Sequence, residues 1–166
     1  MKVNFTENLE RGMEFLHTQG AFLTVKSGEK INTMTISWGN VGFEWNRPIF
    51  TVLVRKSRHT FGLIENSDSF TVSIPLSKDL KKALTVCGSK SGRDIDKFKE
   101  CNLTLENSKI VSTPIIGECE LHYECKIVYK QEMTPQLLSE DVIESAYANG
   151  DYHTIYYGEI VATYTK

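Results

Sequence analysis

The stretch that decides the fold reads Asn32-Thr33-Met34-Thr35-Ile36-Ser37-Trp38, and Arg55-Lys56-Ser57-Arg58-His59-Thr60 follows it along the chain. The first piece alternates between small polar and larger apolar side chains, which predicts a β-strand with one polar face. The second piece puts three cations beside three small hydrogen-bonding side chains, at a point where an apolar strand passes into a helix. Together the two pieces predict a strand edge followed by a basic turn.

The basic turn is the first candidate binding site. A phosphate dianion favours guanidinium forks, hydroxyls and backbone N–H groups at a helix N-terminus, which Arg55, Ser57, Arg58 and Thr60 offer. The preceding strand offers main-chain groups to the edge of a flat ring. The pair predicts a site for a flat heterocycle carrying a phosphate, and flavin mononucleotide (FMN) fits that description. Taken singly, each motif leaves an alternative open, a solvated basic turn or an ordinary strand with one face in water.

Length and charge limit the other possibilities. A chain of 166 residues with 40% hydrophobic and 24% charged residues predicts a single globular domain over 1–166. The net charge of −2 disfavours a nucleic-acid surface. No apolar run approaches the roughly 20 residues of a membrane-spanning helix. The N-terminus turns polar too early for a signal peptide, so the cytoplasm is the expected location.

The cysteines and histidines give no metal signal. The four cysteines form no C-x-x-C pair, and the histidines lack zinc-finger spacing. Cys119 and Cys125 fall on one predicted strand, about 20 Å apart at 3.3 Å per residue, which is too far for a disulfide. We expect free thiols in a reducing compartment and no metal site.

Hydrophobic periodicity predicts mostly strands. Two strand-like runs surround Ser27-Gly28 as a hairpin, and 49–55 and 69–75 are nearly continuous β-forming runs. Residues 118–130 and 153–165 supply two further strands. In 118–130 charged or imidazole side chains alternate with apolar ones, which predicts a strand with one wet face.

The remaining segments predict loops and short helices. Residues 39–47 are expected to form a loop, and helices are expected at 7–17, 60–66 and 78–88. Thr6 is the predicted cap of the first helix, Ser57 or Thr60 of the second and Ser77 of the third. The elements together predict a mainly β fold, an antiparallel barrel with a few short flanking α-helices.

Two further segments carry candidate functional residues. The loop Gly88-Ser89-Lys90-Ser91-Gly92 presents amides to an anion, although it lacks the spacing of a Walker A loop, and a plain surface loop is the alternative. His153 begins the last strand, where it is a candidate general acid or hydrogen-bond donor, with a structural histidine as the alternative.

The order of the motifs is more specific than any one of them. N-x-M-T-x-S-W is followed by a Pro-led apolar strand, then R-x-S-R-x-T, then F-x-V-x-I-P. This order resembles the flavin reductase-like family of FMN-binding split barrels, and most of all its flavoredoxin branch. Residues 91–98 (SGRDIDKF) and 153–161 (HTIYYGEIV) extend the resemblance, which covers residues 15–165.

The resemblance implies a homodimer of six-stranded antiparallel split β-barrels, with FMN bound non-covalently near the dimer interface. The implied cofactor-binding residues are Asn32, Thr33, Met34, Thr35, Ile36, Ser37 and Trp38 for the ring, Arg55, Ser57, Arg58 and Thr60 for the phosphate, and Lys90 and Ser91 from the later loop. Many relatives carry Gly-Asp-His before the last strand, with the histidine on the nicotinamide side. Here Tyr152 is inserted before His153, the candidate catalytic residue.

The expected function is therefore an FMN-dependent oxidoreductase. A nicotinamide dinucleotide or a redox protein would reduce the FMN, which would pass electrons to a flavin, a metal complex or a protein. The alternative is an FMN-binding electron carrier or sensor without its own NAD(P)H site. A nucleic-acid-binding barrel is disfavoured by the net charge. The sequence leaves open the choice between NADH and NADPH and the final acceptor.

Overall fold

The largest element of the computed structural model is a seven-stranded antiparallel sheet with the order β2-β1-β5-β8-β9-β4-β3. The structure describes residues 3–77 and 79–166. The strands are β1 (Ala21–Ser27), β2 (Lys30–Ile36), β3 (Gly39–Glu44), β4 (Arg47–Arg55), β5 (Ser69–Ile74), β6 (Leu105–Glu106), β7 (Ile115–Ile116), β8 (Leu121–Glu132) and β9 (His153–Thr165). β6 and β7 form a separate two-stranded sheet.

Short helices fill the connections. They are α1 (Leu9–Thr18), α2 (His59–Ile64), α3 (Lys81–Ser89), α4 (Lys97–Glu100) and α5 (Glu140–Ala146), with a 3₁₀ turn at Pro135–Leu137. None of the helices in the described part of the chain is long and apolar enough to cross a membrane.

The sheet closes because its two ends are tied together. β2 and β3 lie at opposite ends of the strand order, yet only Ser37 and Trp38 separate them in the chain. A link this short forces the sheet to curl until its first and last strands meet. The interior is filled by fully buried residues from five strands, among them Leu23, Phe50, Phe70, Tyr123 and Tyr156. The predicted mainly β fold with short flanking helices is confirmed.

The strand count differs from the expected six because residues 39–47 are not a loop. Gly39–Glu44 pairs with β4 in a hairpin from Gly39↔Val52 to Glu44↔Arg47. Trp45 and Asn46 form its turn with φ values of 52° and 58°, the left-handed pair that a two-residue hairpin turn requires. The hairpin at Ser27-Gly28 is confirmed, with Ser27 opposite Lys30.

The expectation of one wet face on 118–130 is wrong for its first half. His122 and Glu124 are both fully buried. The Glu124 carboxylate accepts hydrogen bonds from the main-chain N–H groups of Lys109, Ile110 and Val111, at 2.7–3.1 Å. The loop before β7 therefore covers this face of β8. The second half of the strand differs from the prediction in the other direction, because both of its faces are largely exposed.

The predicted helix caps also differ from the structure. α1 is preceded by Asn8 rather than Thr6 and α2 by Arg58 rather than Ser57 or Thr60. α3 starts at Lys81 with Leu80 before it, so Ser77 is not its cap and the helix is shorter at its start. Lys78, where that helix was expected to begin, lies outside the described residues, as do residues 1–2.

Candidate functional site

A groove runs across the mouth of the closed sheet, formed by two adjoining cavities. The strand cavity, about 170 Å³, is lined by Met34, Thr35, Ile36, Ser37, Trp38, Leu53, Arg55, Arg58 and His153. The basic cavity, about 130 Å³, is lined by Asn32, Met34, Ser57, Arg58, His59, Thr60, Cys87, Ser89, Lys90, Ser91, Gly92, Arg93 and Lys97. Because Met34 and Arg58 line both cavities, the two lie side by side, and the pair is called the groove below.

β2 forms the long wall of the strand cavity. The hydroxyls of its threonines are already engaged: Thr33 Oγ1 donates to the Leu23 carbonyl at 3.2 Å and Thr35 Oγ1 to the Leu84 carbonyl at 2.6 Å. Thr33 is fully buried and does not line either cavity, whereas the other predicted ring-binding residues do. Trp38 is 47% exposed, so one side of the strand cavity is an accessible aromatic surface.

The basic cavity lies where α2, the loop after α3 and α4 converge. Arg58 donates from Nη1 to the Gly88 carbonyl at 3.0 Å, and Asn32 donates from Nδ2 to Thr60 Oγ1 at 2.9 Å. The main chain at Gly92 passes so close to Asn32 that a Cβ on Gly92 would lie 2.2 Å from Asn32 Oδ1. A side chain at this position would force the Asn32 amide to shift, and the close approach brings the loop with Lys90 and Ser91 against β2.

Lys97 is a buried cation at the base of this cavity. It is 4% exposed and donates from Nζ to the carbonyls of Thr33, at 2.9 Å, and Cys87, at 2.8 Å. No carboxylate within residues 3–77 and 79–166 forms a salt bridge with it. Burial, followed by the charge of Arg58, lowers the pKa of Lys97. A buried ammonium without an acidic partner is costly, and a bound anion would remove that cost.

The imidazole of His59 reports the same positive field. Its pKa is lowered first by burial and then by the charges of Arg93, Lys97 and Lys30. The cations Arg58, Lys90, Arg93 and Lys97 line this small cavity. An excess of fixed positive charge in a cleft favours a bound anion.

Two of the predicted phosphate-binding residues are already engaged elsewhere. Arg55 donates to the carbonyls of Asp151, at 2.8 Å, and Ala146, at 2.9 Å, and it lines the strand cavity rather than the basic one. Ser57 donates from its hydroxyl to Asp151 Oδ2 at 2.6 Å and from its main-chain N–H to Oδ1 at 3.2 Å. The structure therefore brings Ser57, Arg58, Thr60, Lys90 and Ser91 together around the basic cavity. Arg55 lines the strand cavity instead, and Arg55 and Ser57 both anchor the segment before β9.

His153, the candidate catalytic residue, lines the strand cavity and is 9% exposed. Its ring is 5.4 Å from the Trp38 ring, centroid to centroid, and its Nδ1 is 2.7 Å from the Tyr147 hydroxyl. Burial, with a smaller contribution from Arg55, lowers the pKa of His153 to about 4. The imidazole is neutral at pH 7, so it acts here as a hydrogen-bonding group rather than as a cation.

Sequence patterns missed three residues of this site. Lys97 sits inside the SGRDIDKF motif, and its helix is capped by Asp96, which accepts from the N–H groups of Phe98 and Lys99. The motif drew attention to this segment, but it did not indicate that the Lys97 side chain is buried at the basic cavity. Tyr147 lies in a polar connection without periodicity, so no pattern pointed to it. Asp151 belongs to the run before His153 that resembles Gly-Asp-His, but that resemblance gave Asp151 no role.

A family model described as the flavin reductase-like domain matches residues 13–166. The chain belongs to the flavin reductase-like family. One relative is an uncharacterized protein from Archaeoglobus fulgidus. The two sequences are 33% identical over 152 residues, and the alignment covers 90% of this chain and 73% of the relative.

Solved structures of flavin reductase-like proteins share the fold. Flavoredoxin from Methanosarcina acetivorans has a TM-score of 0.69 and 28% identity, over 89% of this chain and 68% of its own. An FMN-binding protein from Thermus thermophilus, solved with bound 1-cyclohex-2-enone, has a TM-score of 0.69 and 23% identity, over 91% and 74% of the two chains. At that lower identity the likeness concerns the split-barrel fold alone.

Proposed function

We propose that this family member is an FMN-dependent oxidoreductase that passes electrons from a nicotinamide dinucleotide or a redox protein, through bound FMN, to a flavin, a metal complex or another protein. The observation that carries the proposal is the pair of adjoining cavities that forms the groove. A strand edge beside an exposed aromatic ring leads into a cavity of fixed positive charge that contains a buried cation, Lys97. A ligand with a flat polar ring at one end and a phosphate at the other matches both halves.

The residues of the basic cavity fit the phosphate end. Arg58 and Lys97 supply charge, and Thr60 has a hydroxyl hydrogen to donate because its oxygen accepts from Asn32. Lys90 and Ser91 belong to the loop that Gly92 brings against β2. Charge-assisted hydrogen bonds of this kind contribute about 1.5–3 kcal/mol each.

The residues of the strand cavity suit the ring end. The stretch from Met34 to Trp38 offers main-chain groups and apolar side chains along one wall, and Leu53 lies on another. When bound, FMN supplies the electron transfer that protein side chains lack. The chain would orient the ring, limit the access of water and keep a neutral imidazole, that of His153, at the mouth.

The preference for FMN over riboflavin tests the proposal. Wild-type protein should bind FMN at least about tenfold more tightly than riboflavin, because only FMN reaches the basic cavity. Arg58→Ala should reduce FMN affinity about ten- to hundredfold and leave riboflavin affinity nearly unchanged. Fluorescence titration measures both ligands. Arg47→Ala is the matched control, since Arg47 pairs with Glu159 away from the groove. Equal affinity for the two ligands in wild type would contradict the phosphate assignment.

The electron donor is tested separately. Steady-state oxidation of NADH or NADPH with a flavin acceptor is the expected result for a reductase. Tight FMN binding without any nicotinamide oxidation would instead identify an electron carrier or sensor that depends on a protein donor.

The proposal includes a homodimer in the cytoplasm. Trp45, Tyr129 and Tyr157 form an exposed aromatic cluster with ring centroids 5.4–5.9 Å apart. Exposed aromatic rings are enriched at interface cores, which supports a second copy of the chain as the partner. Within residues 3–77 and 79–166 the four cysteines form no disulfide, which suits a reducing compartment.

A further inference from the structure

Tyr147 forms a hydrogen-bonded unit with His153 at the mouth of the groove. Tyr147 follows the last residue of α5 and is 4% exposed. Its hydroxyl lies 2.7 Å from His153 Nδ1, and the two rings meet edge to face at 5.6 Å. His153 therefore has one ring nitrogen occupied by Tyr147 and the other left for the cavity that it lines.

Arg55 fixes the tyrosine in this position. The Arg55 guanidinium lies 5.1 Å from the Tyr147 ring centroid, as a cation–π contact, and its two Nη atoms hold the carbonyls of Ala146 and Asp151 on either side of the tyrosine. Arg55 and His153 are also paired neighbours on β4 and β9. The three side chains are thus held by main-chain pairing, by two hydrogen bonds and by ring packing.

The proton in this contact belongs to the tyrosine. Burial raises the pKa of Tyr147, so the phenol keeps its hydrogen, and the imidazole is neutral. A phenol is a better donor than acceptor, while the unprotonated nitrogen of an imidazole is the better acceptor. Within residues 3–77 and 79–166 the Tyr147 hydroxyl has no other hydrogen-bond partner. The O–H therefore donates to Nδ1.

We propose that Tyr147 is a positioning residue that holds His153 as the Nε2–H tautomer, so that the groove presents an N–H donor to a lone pair on the molecule bound beside Trp38. The inference rests on the proposed function only in requiring that the groove binds a molecule. A molecule recognised by this donor carries a carbonyl-type oxygen or an unprotonated ring nitrogen, and one offering only N–H groups would leave Nε2–H unsatisfied.

The tautomer can be read directly by nitrogen NMR of protein labelled with ¹⁵N-histidine. His153→Gln identifies the His153 signals among those of the four histidines. In wild type, Nε2 should resonate as a protonated nitrogen and Nδ1 as an unprotonated one. Tyr147→Phe should abolish this single tautomer. Tyr152→Phe is the matched control, because Tyr152 stacks on Tyr147 at 4.8 Å without touching His153 through its hydroxyl.

The pKa of His153 gives a second readout in the same samples. Tyr147→Phe removes a donor that stabilises the neutral ring, so the pKa of His153 should rise. The charges that face His153, namely Arg55 on β4, Arg58 before α2 and Asp151 before β9, remain in place in this variant. Tyr152→Phe should leave the titration unchanged.

The outcomes separate this inference from the proposed function. An Nδ1–H tautomer in wild type, or an unchanged tautomer in Tyr147→Phe, would overturn the inference even if FMN binds. If Tyr147→Phe does not fold, the nitrogen NMR spectrum of the wild type still shows which tautomer His153 adopts. A correct tautomer in a protein that binds no flavin would count against the proposed function alone. With both correct, Tyr147→Phe should slow nicotinamide-dependent flavin reduction several-fold.

Discussion

Arg58 and Lys97 both donate hydrogen bonds to main-chain carbonyls at the C-terminal end of α3. Lys97 holds the Cys87 carbonyl and Arg58 the Gly88 carbonyl, which compensates the partial negative charge of the helix end. Each side chain has further N–H groups left for a ligand, since an ammonium carries three donors and a guanidinium five. The two residues therefore serve the local structure and the basic cavity together.

Lys97→Met tests the contribution of the buried cation. The thioether keeps most of the side-chain volume but removes the charge, so FMN affinity should fall about ten- to hundredfold while riboflavin affinity changes little. Lys99→Met is the matched control on the same short helix, because the Lys99 side chain is 87% exposed. Isothermal titration with both ligands and circular dichroism of both variants make the comparison. An equal loss for FMN and riboflavin would show that Lys97 acts only through the fold.

At the residue scale, the sequence patterns predicted which kinds of side chain lie near the site, but not what each side chain binds. Ser57, Arg58 and Thr60 of the basic turn all line the basic cavity. Arg55 and Ser57 came from the same motif, but they bind the segment that ends at Asp151. That segment lies about a hundred residues later in the chain and has no periodic pattern, so the partners of Arg55 and Ser57 are set by tertiary contact.

Among the elements, β9 does the most to hold the site together. It pairs with both β4 and β8, starts at His153 beside the groove and crosses the core at Gly158. A Cβ on Gly158 would lie 2.5 Å from Phe70 Cζ and 2.7 Å from Cys125 Cβ, both in fully buried side chains. The absence of a side chain at Gly158 lets β5, β8 and β9 pack closely.

Gly158→Ala should therefore be destabilising. Inserting one methyl group into a packed core typically costs about 1–3 kcal/mol of unfolding free energy. Gly62→Ala is the matched control, since Gly62 lies in α2 with no atom within 4 Å of the new Cβ. That change should leave stability equal or raise it by up to about 1 kcal/mol, because alanine is the better helix former. Urea denaturation measures both. A Gly158→Ala protein as stable as wild type would mean that Phe70 on β5 and Cys125 on β8 can move apart at little energetic cost.

Long strands with a clear hydrophobic periodicity were predicted well. Features that depend on tertiary contacts with distant segments were not. The strands around Ser27-Gly28 and those at 49–55, 69–75 and 153–165 all appear in the sheet. β3 was missed because two glycines weaken its pattern, and because Trp45 in a left-handed conformation is uncommon for a bulky residue. The burial of Glu124 on β8 depends on a loop that no local signal connects to it.

For the whole molecule, the closed sheet leaves its aromatic residues in two different settings. Large rings such as Phe50 and Tyr123 fill the interior, where they contact each other at 5.1 Å. Trp45 and Tyr129 remain 57% and 43% exposed on the outside, although their rings are in contact. Rings that pack together while facing water leave apolar area that a second protein surface can cover.

The exposed aromatic cluster of Trp45, Tyr129 and Tyr157 predicts a dimer interface. Wild-type protein should sediment as a dimer at micromolar concentration, and Trp45→Lys should weaken the dimer at least about thirtyfold, because a tryptophan at the centre of an interface commonly contributes 2 kcal/mol or more. Ile110→Lys is the matched control, since Ile110 is equally exposed at 58% but belongs to the loop over β8. Sedimentation velocity over a concentration series measures both variants. A monomeric wild type that still binds FMN would contradict the dimer, while a dimer unaffected by Trp45→Lys would place the interface on another face of the barrel.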